Sequence, residues 1–404
     1  MAEVVVEAAM LNGNARGMNS VVFVTAEVGY VFGINGDSDL DYMKTTNGGL
    51  TWSAAVDVFT GSVDSFGLWY DQWTPGDTGR IIHIAFTENG TDDVSYFAFN
   101  TTNDTKTTIV DVFAGATATL GRGVFTSITK TRGGYLYVAY VILSGTTSGL
   151  YRSTDNGATW GVRTNPIEAA LDQCMLFPAN AADANDIWML YDDDSAAELT
   201  VKTHDDSANT NSESSALSFN NNATDLVGQY GFAGSIRHSD GNLIFAYMST
   251  YDAAGGSTTN FNVYRWDGTT LTALTAIASA VDHIYYPGVY LNQDQPDWIY
   301  VAYLGVSAGT STLTTSMPVV YALSKDRGVS WTKDIAYSTS TTDYRQCWVP
   351  LNGERFMVVW TDISALSLNT NQDNSKEFGF AGMNNYKRAK ATGQNPGILS
   401  MGSI

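Results

Sequence analysis

This chain is short of cysteine, proline and positive charge. Its 404 residues include 2 Cys and 8 Pro, and 21 Lys and Arg stand against 41 Asp and Glu. Two cysteines, Cys174 and Cys347, make no disulfide framework, and in apolar contexts such thiols behave as small buried hydrophobes. The formal charge of −20 at pH 7 opposes phosphate backbones and anionic membrane surfaces, so no nucleic-acid partner is expected. No apolar run reaches the roughly 18 residues of a membrane span, which argues against membrane insertion. Met1 to Val6 lacks the basic start of a secretion signal. The 4 His show no metal-ligand spacing, and no P-loop, dinucleotide fingerprint or nucleophile elbow follows a strand-like run. Sustained helical periodicity is missing too.

What is present is apolar, aromatic and rich in turns. Hydrophobic residues make up 44% and aromatic residues 12% of the chain, with 38 Gly, which fits many short strands joined tightly. One motif occurs three times, as Thr45 to Trp52, Ser153 to Trp160 and Ser324 to Trp331, with starts 108 and then 171 residues apart. Each copy reads [S/T]-x-[D/N]-x-G-x-[S/T]-W. The acid or amide (Asn47, Asp155, Asp326) can accept bonds from its own loop, and the glycine (Gly49, Gly157, Gly328) supplies a positive φ. The closing Trp52, Trp160 and Trp331 start the return strand of a hairpin.

The motif resembles the Asp box (BNR repeat) of the sialidase-like β-propellers, where it joins the third and fourth strands of a blade. Propeller repeats run roughly 40 to 60 residues, so the spacings are about two and three units. Degenerate copies at Thr101 to Thr107, Thr203 to Thr210 and Arg265 to Thr270 fall between them. Strand-like runs then repeat in one order, giving an all-β, single β-propeller of about seven four-stranded blades, with six as the alternative. The last three runs, Tyr344 to Val349, Glu354 to Thr361 and Glu377 to Gly382, lack a fourth, which Val4 to Ala9 can supply to close the ring. Residues 1–388 form this propeller. Residues 389–404 read as an irregular tail able to make oligomeric contacts.

The resemblance implies a site of three arginines gripping a carboxylate, a tyrosine nucleophile and an acid–base aspartate. In this chain the positions nearest that pattern are Arg122, Arg237, Arg345, Tyr344 and Asp64. The family's early Arg-Ile-Pro signature is absent, and Arg16 reads as a loop residue. Trp69 and Trp73, with Arg237 and Arg345, are candidate ligand contacts, since aromatic faces suit sugars, although core packing accounts for such rings more often than ligands do. Asp37, Asp39 and Asp41 have the alternation of a calcium loop without its glycine or closing glutamate, so calcium is the one cofactor considered.

These features favour a non-enzymatic structural or adhesin propeller over an exo-glycosidase of sialidase type. A Thr/Ser/Asn/Gly-rich, lysine-poor composition is common in phage surface proteins, so the expected setting is a virion or extracellular surface. Its partners there are other surface proteins or glycans.

Overall fold

In the computed structural model the described residues are 3–7, 16–17, 20–88, 91, 93–114, 125–142, 147–167, 173–193, 196–221, 231–248, 250–251, 260–278, 283–306, 319–336, 344–362 and 367–371. They form seven sheets of four or more strands and one two-stranded pairing. Apart from short parallel pairings of Arg16–Gly17 and Asn352–Gly353, the strands of each large sheet are antiparallel neighbours, lettered A to D from the axis outward. The A strands of successive sheets pack on one another, which arranges the sheets as the blades of a β-propeller.

Six blades each come from one stretch of chain. The first is Val21–Phe23, Gly29–Ile34, Leu40–Thr45 and Val56–Phe59; the third is Phe125–Lys130, Leu136–Ile142, Thr147–Ser153 and Gly161–Arg163. The A strands of the second, fourth, fifth and sixth are Val63–Tyr70, Gln173–Pro178, Phe232–Ile236 and His283–Asn292. The seventh blade is shared by both ends of the chain. Tyr344–Trp348, Val359–Asp362 and Ser367–Asn371 supply A to C, and Glu3–Glu7 pairs antiparallel with the last as D. Closure from the opposite end is as the sequence suggested. The third strand of this blade is not: it lies at Ser367–Asn371, and Glu377 to Gly382 falls outside the described residues, as does the 389–404 tail. Arg16–Gly17, read as loop, instead adds a short parallel pairing to Ser65 and Phe66.

Burial follows position in the blade. Gly29–Ile34 and Gln173–Pro178 are buried at every residue, whereas the outer Val56–Phe59 buries only Val58. Near the axis the A strands leave no room for side chains at some positions. A Cβ on Gly67 would lie 2.4 Å from the Thr126 carbonyl oxygen of the next blade.

The three Trp-ended loops are C–D turns with one hydrogen-bond plan. The first hydroxyl (Thr45, Ser153, Ser324) accepts the N–H of the glycine four residues on, at 2.8 Å in each. The side-chain Oδ1 of Asn47, Asp155 or Asp326 accepts the N–H of the seventh residue at 2.9 Å. In the second and third loops the seventh hydroxyl donates to the carboxylate; in the first the polarity reverses and Asn47 Nδ2 donates to Thr51 Oγ1. Each loop therefore closes largely on its own side chains, and neighbouring segments add bonds of their own, the Gly48 N–H to the Glu27 carbonyl and the Arg327 N–H to that of Asp297.

The same loops reach sideways. A Cβ on Gly157 would come 2.0 Å from the Tyr96 ring of the second blade, on Gly49 2.2 Å from Met357 of the seventh, and on Gly328 2.8 Å from Leu274 of the fifth. The degenerate turns do so through charge. Asp104 accepts the Tyr30 hydroxyl and pairs with Lys44 at 2.7 Å, both on the first blade. Asp206 accepts the Tyr137 hydroxyl and pairs with Arg152 at 2.6 Å, both on the third. The C–D turns thus latch each blade to the one before it.

Candidate functional site

The side chains with chemical potential gather where A–B connections meet the axis. Inner strand Val63–Tyr70 ends in a single 3-10 turn, Asp71–Trp73, whose tryptophan is drawn across the ring. Trp73 Nε1 donates to the Asn352 carbonyl of the seventh blade (3.1 Å), and His238 Nε2 of the fifth donates to the Trp73 carbonyl (3.1 Å). Asn352 Nδ2 donates to the Ile236 carbonyl (2.9 Å), Ser235 Oγ to the Leu351 carbonyl (2.6 Å), and Gln293 Nε2 of the sixth blade to the Gln72 carbonyl (3.2 Å). Connections from four blades are thereby laced over one end of the axis. Trp69 and Trp73 belong to this closure and are not ligand platforms. Both rings are 1% exposed, pack edge-to-face at 5.7 Å, and spend their N–H groups on Thr74 and Asn352.

Beside the turn lies a chain of ionisable groups. Asp71 Oδ1 meets His83 Nε2 at 3.0 Å and Lys130 Nζ at 2.6 Å, while Oδ2 accepts the Ile81 N–H at 2.9 Å. His83 Nδ1 bonds the Tyr96 hydroxyl at 2.7 Å, and Lys130 also reaches Asp77 at 2.8 Å. Burial works against charge on Asp71, but His83, Lys130 and the Ile81 N–H outweigh it and hold its carboxyl at about 2. Burial lowers the His83 pKa despite Asp71, so the ring is neutral near pH 7. The order Lys–Asp–His–Tyr has the look of a proton relay. Its Tyr96 end, however, is sealed beneath Trp160 at 5.2 Å, so it presents no atom to a substrate and clamps the second blade to the third.

Two of the residues expected to form a sialidase-like set, Asp64 and Arg237, do not converge. All A strands point the same way along the axis. Asp64 is the second residue of its A strand, and Arg237 follows the last residue of another, Phe232–Ile236. At about 3.3 Å per residue they lie roughly 20 Å apart along the axis, at opposite ends of the ring. Arg237 is also 3% exposed, with Nε bound to Asp240 Oδ1 at 3.2 Å, and burial lowers its pKa. Tyr344 and Arg345 open the A strand of the seventh blade, but their side chains, like all of Arg122, lie outside the described residues.

Of the three aspartates of the proposed calcium loop, Asp39 and Asp41 each spend a carboxylate oxygen within the fold, on the Gly61 N–H and on Asn35 Nδ2. Asn35 Oδ1 caps the N–H groups of Asp37 and Asp39 at 2.9 and 3.0 Å, and Asp39 Oδ1 accepts the Gly61 N–H at 2.8 Å. Asp41 is 2% exposed and sits directly across from Asp57; burial above all, with Asp57 adding to it, pushes its carboxyl up to about 7. Among the described residues no group of three or more His, Cys, Asp or Glu is placed to hold a metal ion.

A pattern that the sequence reading missed concerns the arginines. Every one whose side chain is described lies at the closed end, in A–B connections (Arg80, Arg132, Arg237, Arg355) or in and beside C–D turns (Arg152, Arg163, Arg265, Arg327). The signal was available, because each falls between an A strand and the following B strand or close to a hairpin turn.

No helix among the described residues is long and apolar enough to cross a membrane. No protein-family model matches the chain, and no curated protein sequence matches it. Solved structures do share its fold. A polysaccharide lyase, the PL25 ulvan lyase bound to GlcA(1-4)Rha3S, superposes with a TM-score of 0.58 at 9% identity, over 91% of this chain and 95% of the other. The GH74 xyloglucanase from Xanthomonas campestris gives 0.52 at 14% identity, over 91% of this chain and 55% of the enzyme. A β-propeller domain from Myceliophteria thermophila gives 0.50 at 8% identity, over 88% and 97%. At such identities the likeness is one of architecture, and this chain is similar to these proteins as a β-propeller.

Proposed function

We propose that this chain is a non-catalytic propeller of the Asp-box kind that docks a glycan, as a structural or adhesin component of a virion or cell surface. The observation that carries the reading is the separation of Asp64 from Arg237 to opposite ends of the ring, with the Arg237 guanidinium buried against Asp240. A sialidase needs these groups around one carboxylate. The shared hydrogen-bond plan of the three Trp-ended loops supports the Asp-box assignment. Carbohydrate as the ligand class is supported by two neighbours of like architecture whose names state action on polysaccharides. The surface setting rests on composition alone.

The test pairs a glycan array with turnover of a fluorogenic sialoside. Binding to a set of glycans without hydrolysis is the expected result. Hydrolysis that disappears in Arg345→Ala would establish the exo-glycosidase instead.

A further inference from the structure

The arginines of the fifth and sixth blades leave donors unused. Arg237 keeps Nη1 buried without an acceptor, and Arg265, at the end of the third strand Asn260–Trp266, does the same with Nε. The remaining bonds of Arg265 are a 3.2 Å contact to Thr272 Oγ1 and a 3.9 Å approach to Asp267 Oδ2. Asp267 is occupied elsewhere, since its Oδ1 accepts the N–H groups of Thr269 and Thr270 at 3.0 and 2.8 Å. A guanidinium offers five N–H donors, and burying one unmatched is costly.

Arg327 stands over them. It occupies the left-handed region at φ 61° in the third Trp-ended loop, where its N–H and Nε hold Asp297 at 3.0 and 2.5 Å, and it remains 56% exposed. The Gly328 carbonyl beside it accepts the Thr275 N–H of blade five at 3.0 Å, three residues past the Thr272 that Arg265 bonds, which puts the loop and Arg265 in one neighbourhood. Burial above all lowers the Arg237 pKa, and the other two guanidinium groups add to that. Next to Asp297 is Trp298, a half-buried ring with Lys325 Nζ 4.5 Å from its centroid. Cations flank an aromatic face here, each arginine also facing an aspartate, Asp240, Asp267 or Asp297.

We propose that this patch, at the closed end of blades five and six, docks an anionic polysaccharide, with Arg327, Arg265 and Lys325 meeting its carboxylate or sulfate groups and Trp298 its sugar ring. The inference rests on the glycan-docking reading above. Planar guanidinium forks match carboxylate and sulfate oxygens in pairs, and sugar faces stack on indole. Nucleic acid is disfavoured by the overall charge, which repels an extended polyanion at long range.

Biolayer interferometry of the whole chain against immobilised polygalacturonate, dextran sulfate and neutral dextran tests it. Binding to at least one anionic polymer is expected, weakening with added NaCl, with none to dextran. Arg327→Gln and Trp298→Ala should each weaken it about tenfold. Arg80→Gln, at the same end but on the second blade, should not, and thermal melts identify any variant that fails to fold. Anionic binding indifferent to Arg327→Gln and Trp298→Ala in folded protein overturns the site but leaves a glycan-docking propeller standing, as does binding to neutral glycans only. Silence on every glycan overturns both. Equal binding to poly-glutamate overturns the polysaccharide in favour of an acidic protein partner.

Discussion

Tyr30 donates its hydroxyl to Asp104 at 2.5 Å, and the two residues belong to different blades. The bond has a counterpart two blades on, from Tyr137 to Asp206. In both cases the tyrosine sits directly across from a cation on the next strand, Lys44 or Arg152, which grips the same aspartate. Blades one and two therefore repeat as blades three and four. The copies differ in burial, with Asp104 30% and Asp206 9% exposed. Asp206→Ala strands a buried phenol and a guanidinium and should cost about 2 kcal/mol or more, whereas Asp104→Ala should cost about 1 kcal/mol. Urea unfolding at pH 7 measures both, and equal costs would show that burial is not what separates them.

Glycine at the fifth position of the loops has two duties, and a pair of variants divides them. Gly134 and Gly157 have φ 93° and 86°, but a Cβ on Gly134 meets nothing, while one on Gly157 collides with the Tyr96 ring. Gly134→Ala should lose about 1 kcal/mol from the backbone alone. Gly157→Ala should lose clearly more, and Tyr96→Leu in the same chain should recover part of the difference. Thermal unfolding of the three variants tests this, and absence of recovery would point to the backbone as the whole cost.

Two aspartates bias stability in opposite pH ranges. Asp71, held at about 2, contributes stability that is full above the ordinary carboxylate range and fades as pH falls towards 2. Asp41 is raised to about 7, so its contribution is full below pH 4 and is lost as pH climbs through 7. One proton corresponds to a slope of at most about 1.4 kcal/mol per pH unit. Unfolding free energies at pH 5, 6 and 7.5 should fall with pH, and Asp41→Asn should flatten the trend. An unchanged slope in that variant would assign the loss to another group.

Removing residues 1–7 takes the outer strand from the seventh blade and bares the edge of Ser367–Asn371. The expected result is a lower melting temperature together with self-association, since an unpaired edge recruits other strands. Light scattering after size-exclusion chromatography reads the second effect. A truncated chain that stays monomeric and melts unchanged would mean that Glu3–Glu7 is dispensable to the ring.

Much of the architecture was readable because it is local. The Trp-ended loops close on their own side chains, and alternation marked most strands. Reading failed where the sequence carries no apolar pattern: Ser367–Asn371 is a polar run, recognisable as a strand only through its partners on either side. At the site, Trp69 and Trp73 looked like a platform because sequence gives ring and neighbour but not depth. Arg237, named with Arg122 and Arg345 as nearest the family pattern, follows its A strand, whereas Arg122 precedes one and Arg345 is near the start of another. Which end matters more than which strand.

Glu3–Glu7 leaves the ribosome before every other strand of the ring, and its partner Ser367–Asn371 emerges only after all the other blades have been made. For the whole interval the first strand has no mate, and the growing crescent of blades keeps two open edges. Closing the ring is therefore a single late event of very long sequence separation, slow to form. Once formed, it lets no blade peel away alone without first undoing the pairing between the oldest and youngest parts of the chain.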